Sequence, residues 1–111
     1  MGNKIICIYH SRDLDGWMSA AIVKTIYPEA EFIGWDYGQE LPEINPFDAR
    51  VIMVDISFPV NNMRHLCVKN NLTWIDHHVS AIKDMESANL NPDGRRDVKK
   101  AACELTWEYF K

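Results

Sequence analysis

The chain of 111 residues lacks the features that would place it in several large functional classes. No stretch approaches the ~20 consecutive apolar residues of a membrane span, so no membrane partner is expected. The apolar run from Ile5 to Tyr9 is too short for a signal peptide and is followed by charges. "MGNKII" carries Ile6 where a myristoylation pattern needs Ser or Thr, and reads as unmodified. Basic excess is also missing. Twelve Lys and Arg face sixteen Asp and Glu, for a net charge of -4, which argues against gripping long nucleic acid by bulk charge. A small phosphorylated substrate neutralised locally by cations remains compatible. The three cysteines, Cys7, Cys67 and Cys103, are far apart, odd in number and form no CxxC pair. That pattern fits inert, reduced thiols in the cytoplasm. There is no internal repeat, low-complexity tract or linker, and the length suits one domain.

What is present is an alternation of strand-like and helix-like runs. "KIICIY" (Lys4 to Tyr9) is continuously apolar, as a strand covered on both faces should be. "GWMSAAIVKTI" (Gly16 to Ile26) reads as a buried helix stopped by Pro28. "EFIGW" (Glu31 to Trp35) and "RVIMV" (Arg50 to Val54) read as strands two and three, with a loop from Asp36 to Asp48 between them. Pro59 to Asn70 reads as a helix with Met63, Leu66 and Cys67 on one stripe. Leu72 to Ile75 is a fourth strand, and Ala81 to Ser87 a short helix. Asn89 to Arg96 reads as loop, and Asp97 as the N-cap of a last helix carrying Val98, Ala101, Ala102, Leu105 and Tyr109. The expected fold class is α/β, a Rossmann-like three-layer domain with a mostly parallel sheet.

Three of the apolar runs end in the same chemistry. Strand one leads into "HSRDLDG", with His10, Asp13 and Asp15; strand three ends in Asp55; strand four, "LTWIDHH", ends in Asp76, His77 and His78. In an open parallel sheet the carboxyl ends of the strands share one edge, where ligands bind. Four carboxylates gathered there must raise one another's pKa values or recruit cations. Mixed His and Asp donors suit divalent metals such as Mn²⁺, and a carboxylate bridging two ions is the arrangement used for phosphoryl hydrolysis. Each acid alone would be an ordinary turn residue or helix cap, Asp13 and Asp15 included. All three runs together favour the metal site.

At these residues the chain resembles the DHH phosphoesterase family. "HSRDLDG" matches its first motif, "VIMVDIS" the second, "WIDHHVS" the name-giving third, and "AACELTWEYF" the helix that follows. The resemblance implies that His10, Asp13 and Asp55 hold one metal and that Asp15, Asp55 and His77 hold the second, with Asp55 bridging. Two Mn²⁺ ions are implied, with Mg²⁺ or Co²⁺ as alternatives. His78 would face the substrate phosphate. Asp76 would orient the site from behind or lie close to the metals, and these two are the catalytic candidates. Arg12, beside Asp13, is a second candidate for binding phosphate. The implied reaction is attack on phosphorus by a metal-activated water. The implied substrates are short oligonucleotides, nucleotides or other small phosphorylated molecules, with inorganic pyrophosphate as a rival. An inactive metal- or nucleotide-binding module is the rival outside the enzyme class. Oligomerisation is left open.

Family members carry a fourth acidic motif and a carboxyl-terminal substrate-binding domain, which residues 1–111 lack. The segment is therefore expected to be an incomplete amino-terminal domain, weak or inactive alone.

Four further features have ordinary readings. Trp17, Trp35, Asp36 and Tyr37 fall near the expected crevice rim, where packing at a sheet end competes with stacking of Trp35 or Tyr37 on a base. Trp107 breaks the stripe of the last helix and is expected to be exposed or to meet another chain. Arg95, Arg96, Lys99 and Lys100 form a basic cluster at the expected start of that helix. His65 reads as a surface residue.

Overall fold

The computed structural model describes residues 4–69 and 71–111. The expectation of an unmodified amino terminus falls outside the described residues, as does Asn70; among the described residues the helix read over Pro59 to Asn70 spans only Val60–Leu66. The elements run β1 (Lys4–His10), α1 (Leu14–Ile26), β2 (Glu31–Trp35), β3 (Ala49–Val54), α2 (Val60–Leu66), β4 (Leu72–Asp76), α3 (Val79–Ser87), β5 (Asp93–Arg96) and α4 (Ala102–Phe110). The five strands form one sheet in the order β2-β1-β3-β4-β5. All four pairings are parallel. No helix among the described residues is long and apolar enough to cross a membrane.

Continuous apolar strands do what their pattern requires, feeding alternate residues into two cores. Cys7, Tyr9, Ile52, Val54 and Ile75 pack with Ala20 and Val23 of α1 and Leu105 of α4. Ile6, Ile8, Val51, Met53 and Trp74 pack on the other side with Met63 and Leu66 of α2 and Met85 of α3. The sheet is thus the middle of three layers. The strand order reverses at β1, which has β2 on one side and β3 on the other. A crevice opens at such a reversal, beyond the carboxyl ends of the strands.

Two expectations are corrected. The segment read as loop contains β5, which pairs with β4 from Thr73↔Asp93 to Asp76↔Arg96. "DGRR" has none of the β-branched or aromatic residues that mark strands. It pairs because Gly94 sits at φ 137°, where an added Cβ would lie 1.9 Å from the Trp74 carbonyl oxygen. Arg96 fastens it: its guanidinium donates to the carbonyls of Trp74 and Pro92 at 3.0 Å and lies 5.1 Å from the centre of the Trp74 ring. Secondly, α4 starts at Ala102 rather than after Asp97. Asp97 instead accepts from the Lys99 N–H in a turn, and Val98 is exposed. The basic cluster is therefore not a helix start. Arg95 and Arg96 lie in β5, and Arg95 and Lys100 both pair with Glu108.

Gly94→Ala is expected to destabilise the fold by ~2 kcal/mol or more, combining backbone strain with the clash on Trp74. Urea unfolding followed by tryptophan fluorescence checks this; an unchanged midpoint would mean that β5 does not hold the edge of the sheet.

Candidate metal centre

Three strand ends deliver the polar side chains. His10 is the last residue of β1, Asp55 follows β3, and Asp76, His77 and His78 close β4. α1 enters the same crevice at its N-terminus. Asp13 is its N-cap, accepting from the Gly16 N–H at 2.9 Å through Oδ1. Gly16 is required there, because a Cβ would lie 1.9 Å from the His10 carbonyl oxygen. Asp13 and Asp15 therefore do cap helices, and the same side chains also face the crevice.

Asp55 is the hub. It is fully buried and holds a left-handed φ of 62°, a conformation that costs a non-glycine residue about 1 kcal/mol. Its N–H bonds to the Ile75 carbonyl at 2.9 Å, fixing it to the β3–β4 seam. Oδ1 lies 3.0 Å from His77 Nε2. Oδ2 lies 3.5 Å from His10 Nδ1 and has no hydrogen-bond partner.

Two groups of convergent donors share this residue. His10, Asp13 and Asp55 each offer one atom within 4.8 Å of the others, and so do Asp55, Asp76, His77 and His78. Asp15 stands beside the second group, with Oδ2 3.4 Å from His77 Nε2. It also accepts the first N–H groups of α4, from Ala102 at 3.0 Å and Cys103 at 2.8 Å. The structure thus gathers His10, Asp13, Asp15, Asp55, Asp76, His77 and His78 into one crevice. Arg12 stays at the rim, largely exposed, with Nη1 3.3 Å from Asp36 Oδ2.

Sequence reasoning missed the role of Asp36. Its Oδ1 lies 2.9 Å from His10 Nε2. A carboxylate only accepts, so Nε2 carries the ring proton and Nδ1 presents a lone pair. That lone pair faces Asp13 Oδ2 at 3.4 Å and Asp55 Oδ2 at 3.5 Å, without a donor. The missed signal was a third strand ending in an acid, "EFIGWD", beside strand one. Asp36 also shapes its own loop, accepting from the Tyr37 N–H at 2.9 Å.

Electrostatics follow the geometry. Burial, then the neighbouring Asp13 and Asp15, pushes the Asp55 carboxyl up to about 8. Burial also disfavours the charged form of Asp15, but the backbone donors of Cys103 and Ala102 outweigh it and hold its carboxyl below the usual range. The hydrogen bond from His78 Nδ1 to Asp76 Oδ1, 2.6 Å long, raises the imidazole above its ordinary pKa. Asp76 Oδ1 also accepts the His77 N–H at 2.8 Å, while the buried Oδ2 has no partner. Two converging buried acceptors without a donor, His10 Nδ1 and Asp55 Oδ2, with Asp13 Oδ2 beside them, require a proton or a cation. A nitrogen-and-oxygen donor set of this kind fits a divalent metal ion.

Of the rim aromatics, Trp35 is buried, its Nε1 donating to the Glu40 carbonyl. It offers no open face for a base. Tyr37 is half exposed, its ring 5.6 Å from that of His10. Trp107 is exposed and lies under the Lys111 ammonium.

The sequence profile of the DHH family, N-terminal domain, matches residues 4–111. The chain belongs to the DHH family. The match spans all nine elements and every crevice residue. No curated protein and no solved structure matches the chain. Membership places it in a family of metal-dependent phosphoesterases, and the DHH triplet is the Asp76-His77-His78 that closes β4.

Without metal, Asp55 should make stability fall as pH rises. Its folded-state pKa of about 8 exceeds the ordinary 3.8, so the folded chain keeps a proton that the unfolded chain has lost. The associated stability is complete below the unfolded value and disappears as pH rises through the folded one. His78, also raised, acts in the same direction from near 6.5 upward. In EDTA, the Tm should drop by several degrees between about pH 5 and pH 9. Asp55→Asn should remove most of that slope and be more stable than wild type at the alkaline end. Equal slopes in the two proteins would contradict the charge assignment.

Proposed function

We propose that the chain is the metal-binding catalytic domain of a phosphoesterase with a dinuclear Mn²⁺-type centre, acting on short oligonucleotides or nucleotides. The observation that carries this reading is the sharing of Asp55 by two donor groups, one on each side. His10 and Asp13 would hold one ion, His77 and Asp15 the other, with Asp55 between them. Asp76 lies within the second group and supports it either as a ligand or by fixing His77 and His78. A bound pair of ions supplies a water nucleophile near neutral pH and positive charge for the phosphoryl oxygens.

The remaining steps belong to side chains. Asp55 would have to release its proton to serve as a ligand, so metal binding should tighten as pH rises toward 8. Asp36 fixes the His10 tautomer from outside the centre, the usual task of a carboxylate behind a ligating histidine. His78, its imidazole pKa raised by the hydrogen bond to Asp76, can donate to a phosphoryl oxygen and stabilise charge that builds there. Arg12 adds a positive charge at the mouth of the crevice.

Mn²⁺ should raise the Tm through linkage, by several degrees at saturating concentration. Asp55→Asn should abolish the rise. Asp36→Ala should keep it but need ~10–100-fold more metal. Identical Mn²⁺ responses in all three proteins would remove Asp55 from the centre.

Activity is tested on a chromogenic phosphodiester and a short oligoribonucleotide with Mn²⁺, Mg²⁺ or Co²⁺. Metal-dependent hydrolysis is expected, even if slow, with His78→Ala lowering kcat ~100-fold or more. Metal binding with no turnover by any of the three ions would instead fit a binding module or a phosphoesterase domain inactive on its own.

A further inference from the structure

A second recess adjoins the crevice and is not used by the metal centre. It is a cavity of about 580 Å³ between the loop after β2 and the start of α3, a size typical of small-molecule sites. His78 is common to both, lining the cavity and bonding to Asp76 in the centre. The floor is apolar, with Leu41, Phe58 and Ala81. Tyr37 forms part of the wall and keeps half its surface open. The polar groups at the edge are Gln39, Ser80 and Asp84.

The lining contains no lysine or arginine among the described residues, and its one acid, Asp84, has no ion-pair partner among them. A second phosphate entering here would meet the Asp84 carboxylate with only His78, already bonded to Asp76, to offset it. A flat, uncharged ring with N–H groups meets the opposite conditions: an apolar floor, a phenol face for stacking and an ionised acceptor at the edge. Gln39 has a defined orientation as well. Its Oε1 accepts the Asp36 N–H at 3.0 Å, which leaves the amide NH₂ to donate. The edge therefore offers the Asp84 carboxylate as an acceptor and the Gln39 amide as a donor, with the Ser80 hydroxyl able to act as either.

We propose that this cavity is the subsite for the organic group of the phosphoester, and that it selects a heteroaromatic ring carrying both N–H donors and a carbonyl acceptor, the chemistry of a guanine-like base. Asp84 accepts from the ring N–H groups, Gln39 donates to the carbonyl, and Tyr37 covers the face. The placement of the base relies on the phosphoesterase reading only in that His78 marks where the phosphate lies. The subsite also disfavours inorganic pyrophosphate, whose second phosphate would face Asp84.

Titration of the metal-free chain with guanosine, followed by amide NMR, tests the subsite without phosphate or metal. Shifts at Tyr37, Gln39 and Asp84 are expected, with affinity reduced about tenfold in Asp84→Asn through loss of the charge-assisted bonds. Asp84 is exposed on α3, so the variant keeps its fold. With Mn²⁺ present, guanosine 5′-phosphate should bind at least tenfold tighter than ribose 5-phosphate, and Asp84→Asn should weaken only the former. Absence of guanosine shifts, or equal weakening of both phosphates, overturns the subsite. Failure of Mn²⁺-dependent hydrolysis, by contrast, leaves the guanosine result standing and counts only against the phosphoesterase reading.

Discussion

A carboxylate with no exposed surface, held in a left-handed backbone conformation between two imidazoles, is the constraint around which this domain is arranged. Such a group cannot remain ionised and unpaired in a protein interior. Either it holds a proton, the form favoured by the burial that pushes the Asp55 carboxyl up to about 8, or a cation takes the proton's place. The surrounding residues prepare for the second outcome. His10 and His77 approach the two oxygens from opposite neighbours, β1 and β4, and the three strands hold that spacing through their ladders. A loop could not impose it. The strain at Asp55 persists because the β3–β4 seam over-determines its backbone.

Long-range bonds tie this hub to the rest of the fold. Asp15 joins α1 to α4 across 87 residues, capping α4 while facing His77. Movement of α4 would therefore be felt in the crevice, and charge changes in the crevice would be felt at the start of α4. Asp36 does the same for β2, linking the loop that follows it to His10. That loop then becomes one wall of the neighbouring cavity. The electrostatic requirement at Asp55 and the shape of the recess beside it share a single positioning residue.

Much of this was legible in the sequence because it rests on local patterns. Apolar runs announced buried parallel strands, and the acidic or imidazole endings of three of them announced a shared edge. Less legible was anything decided by a distant partner. β5 lacks strand-forming side chains and exists because Gly94 and Arg96 fit the Trp74 backbone and ring. Asp97 looked like a helix cap, yet the oxygens that cap α4 come from Asp15. For Trp35 packing competed with stacking, and a parallel register opposite His10 decides for packing, beneath Phe58 and Tyr37. Asp36 was noticed at the rim, and only the pairing of β1 with β2 reveals that it reaches the far nitrogen of His10.

The central claim is that Asp55 sits between two cations. Anomalous diffraction from crystals grown with Mn²⁺ tests it most directly. The account predicts two peaks ~3.5–4 Å apart, one beside His10 and Asp13, the other beside His77 and Asp15, with an Asp55 oxygen reaching both. A single peak remote from Asp55, or none at the ends of β1, β3 and β4, would contradict it.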